Sequence, residues 1–159
     1  MPALSHLHMD PEQPVPGVAD GLLAGHLPSE AVDALVDVAG AGARFPLLSV
    51  ELRHLDGEFG RPRPDNGALA SIEAQYAMFA VGMTPVPELR APVRAQVDAV
   101  KDALAPWAAR QMYLNFAETQ QPAAPLWTEH AYPRLRRIKA AVDPANLIRA
   151  NHPVPPAVR

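Results

Sequence analysis

The sequence contains no cysteine, few charged residues and no long apolar run. Without cysteine, the chain cannot form disulfides, zinc–thiolate sites or a cysteine nucleophile. Charged residues make up 19% of the chain and the net charge is −3, so electrostatics give no reason to expect a nucleic-acid partner. No apolar run approaches the roughly 18 residues that a membrane span requires, and residues 1–10 lack the features of a signal peptide. We therefore expect a cytoplasmic protein that binds neither nucleic acid nor membrane.

Proline is abundant: 19 of the 159 residues are proline, in a chain that is 48% hydrophobic. Disordered chains combine low hydrophobicity with high net charge, and this chain has neither. Its length suits one domain or a part of a larger one. The prolines are therefore interpreted mainly as boundaries between structural elements.

Three helices are predicted, over residues 29–39, 89–105 and 129–142. The first begins with Ser29 as its N-cap and ends at Gly40. Each helix carries apolar residues at helical spacing. In chain order these are Val32, Leu35, Val36 and Ala39; Val93, Val97, Val100 and Leu104; and Leu135, Ile138 and Val142.

Strands are predicted over residues 47–55, 68–82 and 111–116, whereas residues 1–25 are interpreted as a loop or a partial strand. In the first strand Leu48, Val50 and Leu52 alternate with polar residues, and His54 continues their face. Glu51 and Arg53 then point the other way, and Tyr76 on the next strand can share their face. The order of elements predicts an α+β fold, a partial antiparallel sheet with helices packed on one face.

The residues alone indicate no self-contained chemistry. The six histidines are scattered, so no metal site is predicted; His6 and His8 are interpreted as part of a solvated arm rather than a chelating pair. The chain has neither a nucleophile elbow nor a phosphate-binding loop. The residues alone predict a sheet with a ligand-facing side and no chemistry of its own.

Several motifs near the C-terminus resemble the end of berberine-bridge-enzyme-like, FAD-linked oxidases. Residues 132–139 read Tyr-x-Arg-Leu-x-x-x-Lys, and residues 143–146 read Asp-Pro-x-Asn. Asn151 and a Val-Pro-Pro sequence at residues 154–156 follow, and residues 113–116 upstream read Tyr-x-Asn-Phe. Further upstream, His-Leu-Asp-Gly at residues 54–57 is similar to the family's His-x-Gly-Gly. The resemblance runs from about Ser29 to the last residue.

This resemblance implies a function, which is to bind substrate and cap the flavin of an FAD-dependent oxidoreductase that passes hydride to the flavin. Tyr113, Asn115, Phe116 and Asn151 would contact FAD, and Asp143, Pro144 and Asn146 would shape the last turn. Glu51, Arg53, Gln75 and Tyr76 would face a small-molecule substrate. Tyr76, Tyr113, Glu51 and His54 are the catalytic candidates, and the general base stays unassigned.

The family's N-terminal FAD-binding domain has no counterpart in the sequence, so a separate FAD-binding chain is an expected partner and the chain alone is expected to be inactive. We divide the chain into an irregular arm (residues 1–28), a partial substrate-binding domain (29–118) and a C-terminal segment that returns to the flavin domain (119–159). The alternative is a non-catalytic α+β module that binds a small ligand or a partner protein.

Overall fold

A computed structural model describes residues 13–43, 47–119, 121 and 126–158 of the chain. His6 and His8 lie outside this range. In chain order the elements are β1 (Gly17–Ala24), α1 (Ser29–Ala39), β2 (Ser49–His54), β3 (Tyr76–Met83), α2 (Arg90–Leu104) and α3 (Ala131–Val142). Short 3-10 helices cover Pro87–Leu89, Ala105–Trp107 and Leu114–Phe116.

The three strands form one antiparallel sheet in the order β1-β3-β2. β3 pairs with β1 from Gly17↔Met83 to Ala24↔Tyr76, and with β2 from Ser49↔Val81 to His54↔Tyr76. As its apolar sequence predicts, central β3 has buried residues on both faces. The predicted α+β class is confirmed.

One face of the sheet, the helix-side face, packs against α2. The predicted stripe of Val93, Val97, Val100 and Leu104 is fully buried there, against a sheet surface that includes Met78 and Ala80. α1 lies beside α2, and the Gln96 side chain donates a hydrogen bond to the carbonyl oxygen of Val38 at 3.0 Å. Both helices thus belong to one apolar layer.

A buried ion pair also joins the sheet to α2. Asp20 of β1 is 5% exposed, and its Oδ2 lies 2.6 Å from Lys101 Nζ and 3.7 Å from Arg94 Nη1. Both cations belong to α2, so they fix the position of this helix along β1.

The structure corrects several boundaries. Residues 17–24 form a full eight-residue strand inside the predicted irregular arm. The predicted strand over 68–82 begins only at Tyr76. Residues 111–116 form no strand, and their last three residues, Leu114–Phe116, form a 3-10 helix. Helix α1 starts at Ser29 as predicted, but Pro28 is its N-cap. The three-part division of the chain stays a prediction.

The predicted apolar sides of α1 and α3 are also partly wrong. In α1 the buried residue is Ala31, whereas Val32 and Val36 are 50% and 57% exposed. In α3, Ile138 and Val142 are exposed. Helical spacing identifies a face, but the partner of that face decides whether it is buried.

Within the described ranges, none of the helices has the length and apolar character that crossing a bilayer would require.

Candidate functional site

The opposite side of the sheet, the site face, carries Glu51 and Arg53 of β2. They pair across the sheet with Phe79 and Ala77 of β3, which places all four side chains on the same face. The Arg53 guanidinium donates to Glu51 Oε2, with Nε at 2.9 Å and Nη2 at 2.8 Å. The Arg53 and Glu51 side chains are 55% and 40% exposed, so this ion pair is accessible on the sheet surface.

An aromatic cluster of Phe79, Tyr113 and Phe116 lies on the site face. The Phe116 ring, carried by the Leu114–Phe116 3-10 helix, lies 4.6 Å from the Phe79 ring and meets the Tyr113 ring edge-on at 4.8 Å. The guanidinium carbon of Arg53 lies 5.1 Å from the centre of the Phe116 ring, in cation–π contact. The structure thus brings together four of the residues selected from sequence: Glu51, Arg53, Tyr113 and Phe116.

Gly21 of β1 makes room for this cluster. A Cβ at Gly21 would lie 2.5 Å from the Met78 carbonyl oxygen and 2.9 Å from Phe116 Cβ. Only a residue without a side chain lets Phe116 reach the sheet at this point.

Tyr76 and His54 do not join Glu51 and Arg53. They pair with each other across β2 and β3, with ring centres 5.1 Å apart, and the alternation of side chains places them on the helix-side face. His54 also contacts Asp56, with 3.3 Å between Nε2 and Oδ2. The prediction that Tyr76 shares a face with Glu51 and Arg53 is wrong, because that parity depends on the register between the strands.

Gln75 directly precedes β3 and is half-buried. Its backbone N–H donates to the Ala24 carbonyl oxygen at 3.0 Å, and its own carbonyl oxygen accepts from the Leu55 N–H at 2.7 Å. These contacts join the ends of all three strands.

A cavity of about 480 Å³ brings Asn115 and Asn151 together. The other lining residues are Leu114, Ala117, Glu118, Ala150 and His152. His152 Nε2 lies 2.9 Å from the Ala117 carbonyl oxygen, so it connects the C-terminal tail to the segment that carries Asn115. Sequence reasoning missed His152, although its position next to Asn151 was an available signal.

A second cavity, of about 340 Å³, adjoins Tyr113 and the loop between β2 and β3. Phe59, Ser71 and Glu58 are among its lining residues. Glu58 is exposed and forms ion pairs with Arg61 and Arg63. Tyr113 therefore belongs to the aromatic cluster and also lines this second cavity.

The turn after α3 is organised by Asp143, which is 6% exposed. Its carboxylate accepts hydrogen bonds from the backbone N–H groups of Leu147 at 2.8 Å and Ile148 at 3.1 Å, and it pairs with Lys139. The hydrogen bond from Lys139, followed by that from Leu147, lowers the pKa of Asp143 below its usual 3.8. Asn146 adopts a positive φ of 52°, which asparagine tolerates better than most residues.

The C-terminal tail returns along α3. Arg136 donates to the carbonyl oxygens of Pro155 at 3.4 Å and Pro156 at 3.2 Å. In return, the Ala157 N–H donates to the Arg136 carbonyl oxygen at 3.0 Å. The tail therefore contacts α3 through residues 155–157, and Asn151 and His152 near its start line the Asn115 cavity.

Comparison with known proteins places these features in a family context. Residues 112–155 match the family model described as berberine and berberine like. This segment of the chain resembles that family. It contains Tyr113, Asn115, Phe116 and Asn151, whereas Glu51 and Arg53 precede it. The comparison with curated proteins found no match.

Several solved structures, among them a berberine bridge enzyme and a BBE-like protein, share the fold of most of this chain. BBE-like 1 from Physcomitrella patens matches 98% of this chain with a TM-score of 0.71 and 13% identity. Berberine bridge enzyme from Eschscholzia californica matches 94% (TM-score 0.71, 15% identity). Xylooligosaccharide oxidase from Myceliophthora thermophila C1, solved with xylobiose, matches 93% (TM-score 0.67, 20% identity).

In each case the match covers 34% of the other chain, so this chain spans about a third of the length of these structures. The predicted resemblance to the C-terminal part of berberine-bridge-enzyme-like oxidases is confirmed.

Proposed function

We propose that this chain forms the substrate-binding and flavin-capping part of an FAD-dependent oxidoreductase that oxidises a small organic molecule. The observation that carries the proposal is the meeting of the berberine-like segment with the site face. Tyr113 and Phe116 come from that segment, and they pack beside the accessible Glu51–Arg53 pair. A surface that combines aromatic rings with a few directed polar groups suits an organic ligand.

The residues present fit an isoalloxazine ring. Planar rings pack favourably on aromatic side chains, and the Asn115 and Asn151 amides offer both donors and acceptors at one cavity. In this proposal Tyr113, Asn115 and Asn151 contact the cofactor, and Glu51 and Arg53 orient the substrate. Phe116, which was also predicted to contact FAD, is only 7% exposed, so it supports the Tyr113 ring instead. FAD bound there would supply the hydride acceptor.

Glu51 and Tyr113 are the catalytic candidates that this site retains. Both lie on or beside the site face, whereas Tyr76 and His54 lie on the helix-side face. The Arg53 guanidinium holds the Glu51 carboxylate in place, and the edge-on contact with Phe116 orients the Tyr113 ring.

We further propose that FAD is held mainly by protein outside these 159 residues, in a separate FAD-binding chain. The matched structures are about three times as long as this chain. The strongly exposed apolar side chains of Val142, Leu147 and Ile148 support the proposal, because an exposed apolar patch is typical of a surface that another part of the protein covers.

Flavin titration tests this function. The chain alone should bind FAD weakly, and co-expression with an FAD-binding chain encoded beside it should yield a yellow complex with oxidase activity. Asn115→Ala should lower the flavin content of that complex, whereas Glu129→Ala, at an exposed site outside the Asn115 cavity, should not. A stoichiometric yellow complex with oxidase activity from the chain alone would refute the proposed division of labour. A complex that never contains flavin would favour the non-catalytic binding module.

A further inference from the structure

His152 has an unusual environment in the cavity that contains Asn115 and Asn151. Its ring is half-buried, and Nε2 lies 2.9 Å from the Ala117 carbonyl oxygen. A carbonyl oxygen can only accept, so Nε2 carries the proton and donates this hydrogen bond. The contact links residues 35 positions apart in sequence and fastens the tail to the Tyr113–Phe116 segment.

The other ring nitrogen, Nδ1, is buried and has no hydrogen-bond partner among the described residues. In the neutral ring with the proton on Nε2, Nδ1 presents a lone pair that requires a donor. Buried polar atoms are rarely left unpaired, so an unpaired one indicates a missing partner.

The remaining polar groups of the cavity narrow the identity of that partner. Glu118 lines the cavity but, when ionised, can only accept hydrogen bonds. The Asn115 and Asn151 amides line the same cavity, and neither bonds to Nδ1. A bound molecule with an N–H or O–H group would satisfy Nδ1.

We propose that His152 is a positioning residue with two functions. Its Nε2–H holds the tail so that Asn151 faces Asn115, and its Nδ1 accepts a hydrogen bond from the N–H or O–H group of the molecule held there. The second function rests on the proposed flavin site, since the imide N–H of a flavin is a donor of this kind.

The first experiment uses the full chain without ligand. At pH 8, side-chain ¹⁵N NMR of labelled histidine should show the ring proton of His152 on Nε2 and none on Nδ1. His152→Gln keeps a donor at nearly the position of Nε2, so the backbone signals of Asn115, Ala117 and Asn151 should stay close to those of the wild type. His152→Phe should shift them, and His26→Phe, at an exposed histidine, should leave them unchanged.

The second experiment adds FAD in large excess, so that weak binding is visible. The Nδ1 signal of His152 should move, and both His152→Phe and His152→Gln should weaken the interaction at least tenfold, because neither variant has an acceptor at the position of Nδ1. Riboflavin, which shares the ring but lacks the adenosine diphosphate, should move the Nδ1 signal in the same direction.

The outcomes separate this inference from the proposed function. Two results would overturn the positioning function whether or not flavin binds. One is a His152 ring protonated on Nδ1 alone, and the other is a set of unchanged backbone signals in His152→Phe. If FAD shifts the Tyr113, Asn115 and Phe116 signals but leaves Nδ1 unmoved, the flavin site stands and the acceptor function of His152 is wrong. FAD that moves none of these signals would overturn the flavin site and the acceptor function together.

Discussion

At the scale of single residues, Gly21 determines whether the aromatic cluster can form. It lies directly beneath Phe116, where a Cβ would meet both the Met78 carbonyl oxygen and the Phe116 side chain. The contact is with backbone on one side, so the neighbours cannot simply rotate away. The requirement for glycine at this position is therefore steric.

We expect Gly21→Ala to destabilise the chain by about 1–3 kcal/mol, the usual cost of overpacking, and to displace Phe116. Urea unfolding would measure the first effect and Phe116 ring NMR signals the second. Gly42→Ala is the matched control, because a Cβ at Gly42 meets nothing within 4 Å. Equal effects of the two substitutions would contradict the steric argument.

Asp143 gives a pH-dependent prediction at the same scale. Lys139 and two backbone N–H groups lower its pKa in the folded state, so the ionised carboxylate favours folding. This contribution is fully present above the unfolded-state pKa near 3.8 and is lost as the pH falls through the lower folded-state value.

Asp143→Asn should therefore be less stable than the wild type at pH 7, and the gap should narrow on acidification below about pH 4. Chemical denaturation at a series of pH values would measure it. Asp102→Asn, at an exposed site on α2, should show no comparable change. A gap between wild type and Asp143→Asn that is constant with pH would show that the Asp143 charge contributes nothing.

At the scale of elements, the Asp20 ion pair controls how α2 sits on β1. Lys101→Met would leave the buried Asp20 carboxylate with Arg94 alone, at 3.7 Å. We expect a loss of about 2 kcal/mol or more in the free energy of unfolding, because a buried charge without a close partner is costly.

The double variant Asp20→Asn with Lys101→Met should recover part of that loss, since the unpaired charge is gone. Asp98→Asn, which breaks the exposed Arg94–Asp98 pair, should cost less than about 1 kcal/mol. Urea denaturation of the wild type and of these three variants would measure the differences in the free energy of unfolding. If Lys101→Met costs no more than Asp98→Asn, burial does not strengthen the pair.

The elements also show what the sequence could and could not reveal. Alternation within β2 correctly separated Glu51 and Arg53 from Val50 and Leu52, because a strand's two faces are a local property. The face of Tyr76 required the register between β2 and β3, which local pattern does not contain. β1 was predicted only as a loop or a partial strand, because glycines such as Gly17 and Gly21 are typical of loops. Their close packing in the sheet is visible only in the structure.

The strand predicted over residues 111–116 was wrong for a different reason. Its alternating pattern predicts a strand, but the Phe116 side chain packs onto the sheet against Phe79. The backbone forms a 3-10 turn at this point, which places the Phe116 ring there. The candidate site residues Tyr113, Asn115 and Asn151 were predicted from motifs, which contain no information about their geometry. His152 belongs to no motif. Its position next to Asn151 was a signal in the sequence, but its hydrogen bond and its buried Nδ1 are seen only in the structure.

At the scale of the whole molecule, several apolar surfaces are exposed. β2 pairs on one side with β3, and no described strand covers its other edge. Leu48 and Leu52 on or beside β2, and Val142, Leu147 and Ile148 near the end of α3, are more than a third exposed. Uncovered edges and apolar patches favour association with other chains.

We therefore expect the isolated chain to self-associate and to be rescued by the FAD-binding chain proposed above. Light scattering after size exclusion would measure its mass. Leu52→Lys should increase the monomer fraction, whereas Thr119→Lys, which adds the same charge at an exposed polar site, should not. A sharp, reversible melt of a monomeric wild type would contradict the expectation.

The way Arg136 holds the tail has a further consequence, for conformational entropy. Prolines 153, 155 and 156 have no N–H, so the tail binds mainly through its carbonyl oxygens, which Arg136 contacts. A proline-rich segment is already restricted before it docks, so little freedom is lost when one guanidinium immobilises it. Elsewhere in the chain, prolines mark the boundaries of structural elements. In the tail, they let the last residues stay in place with very few contacts.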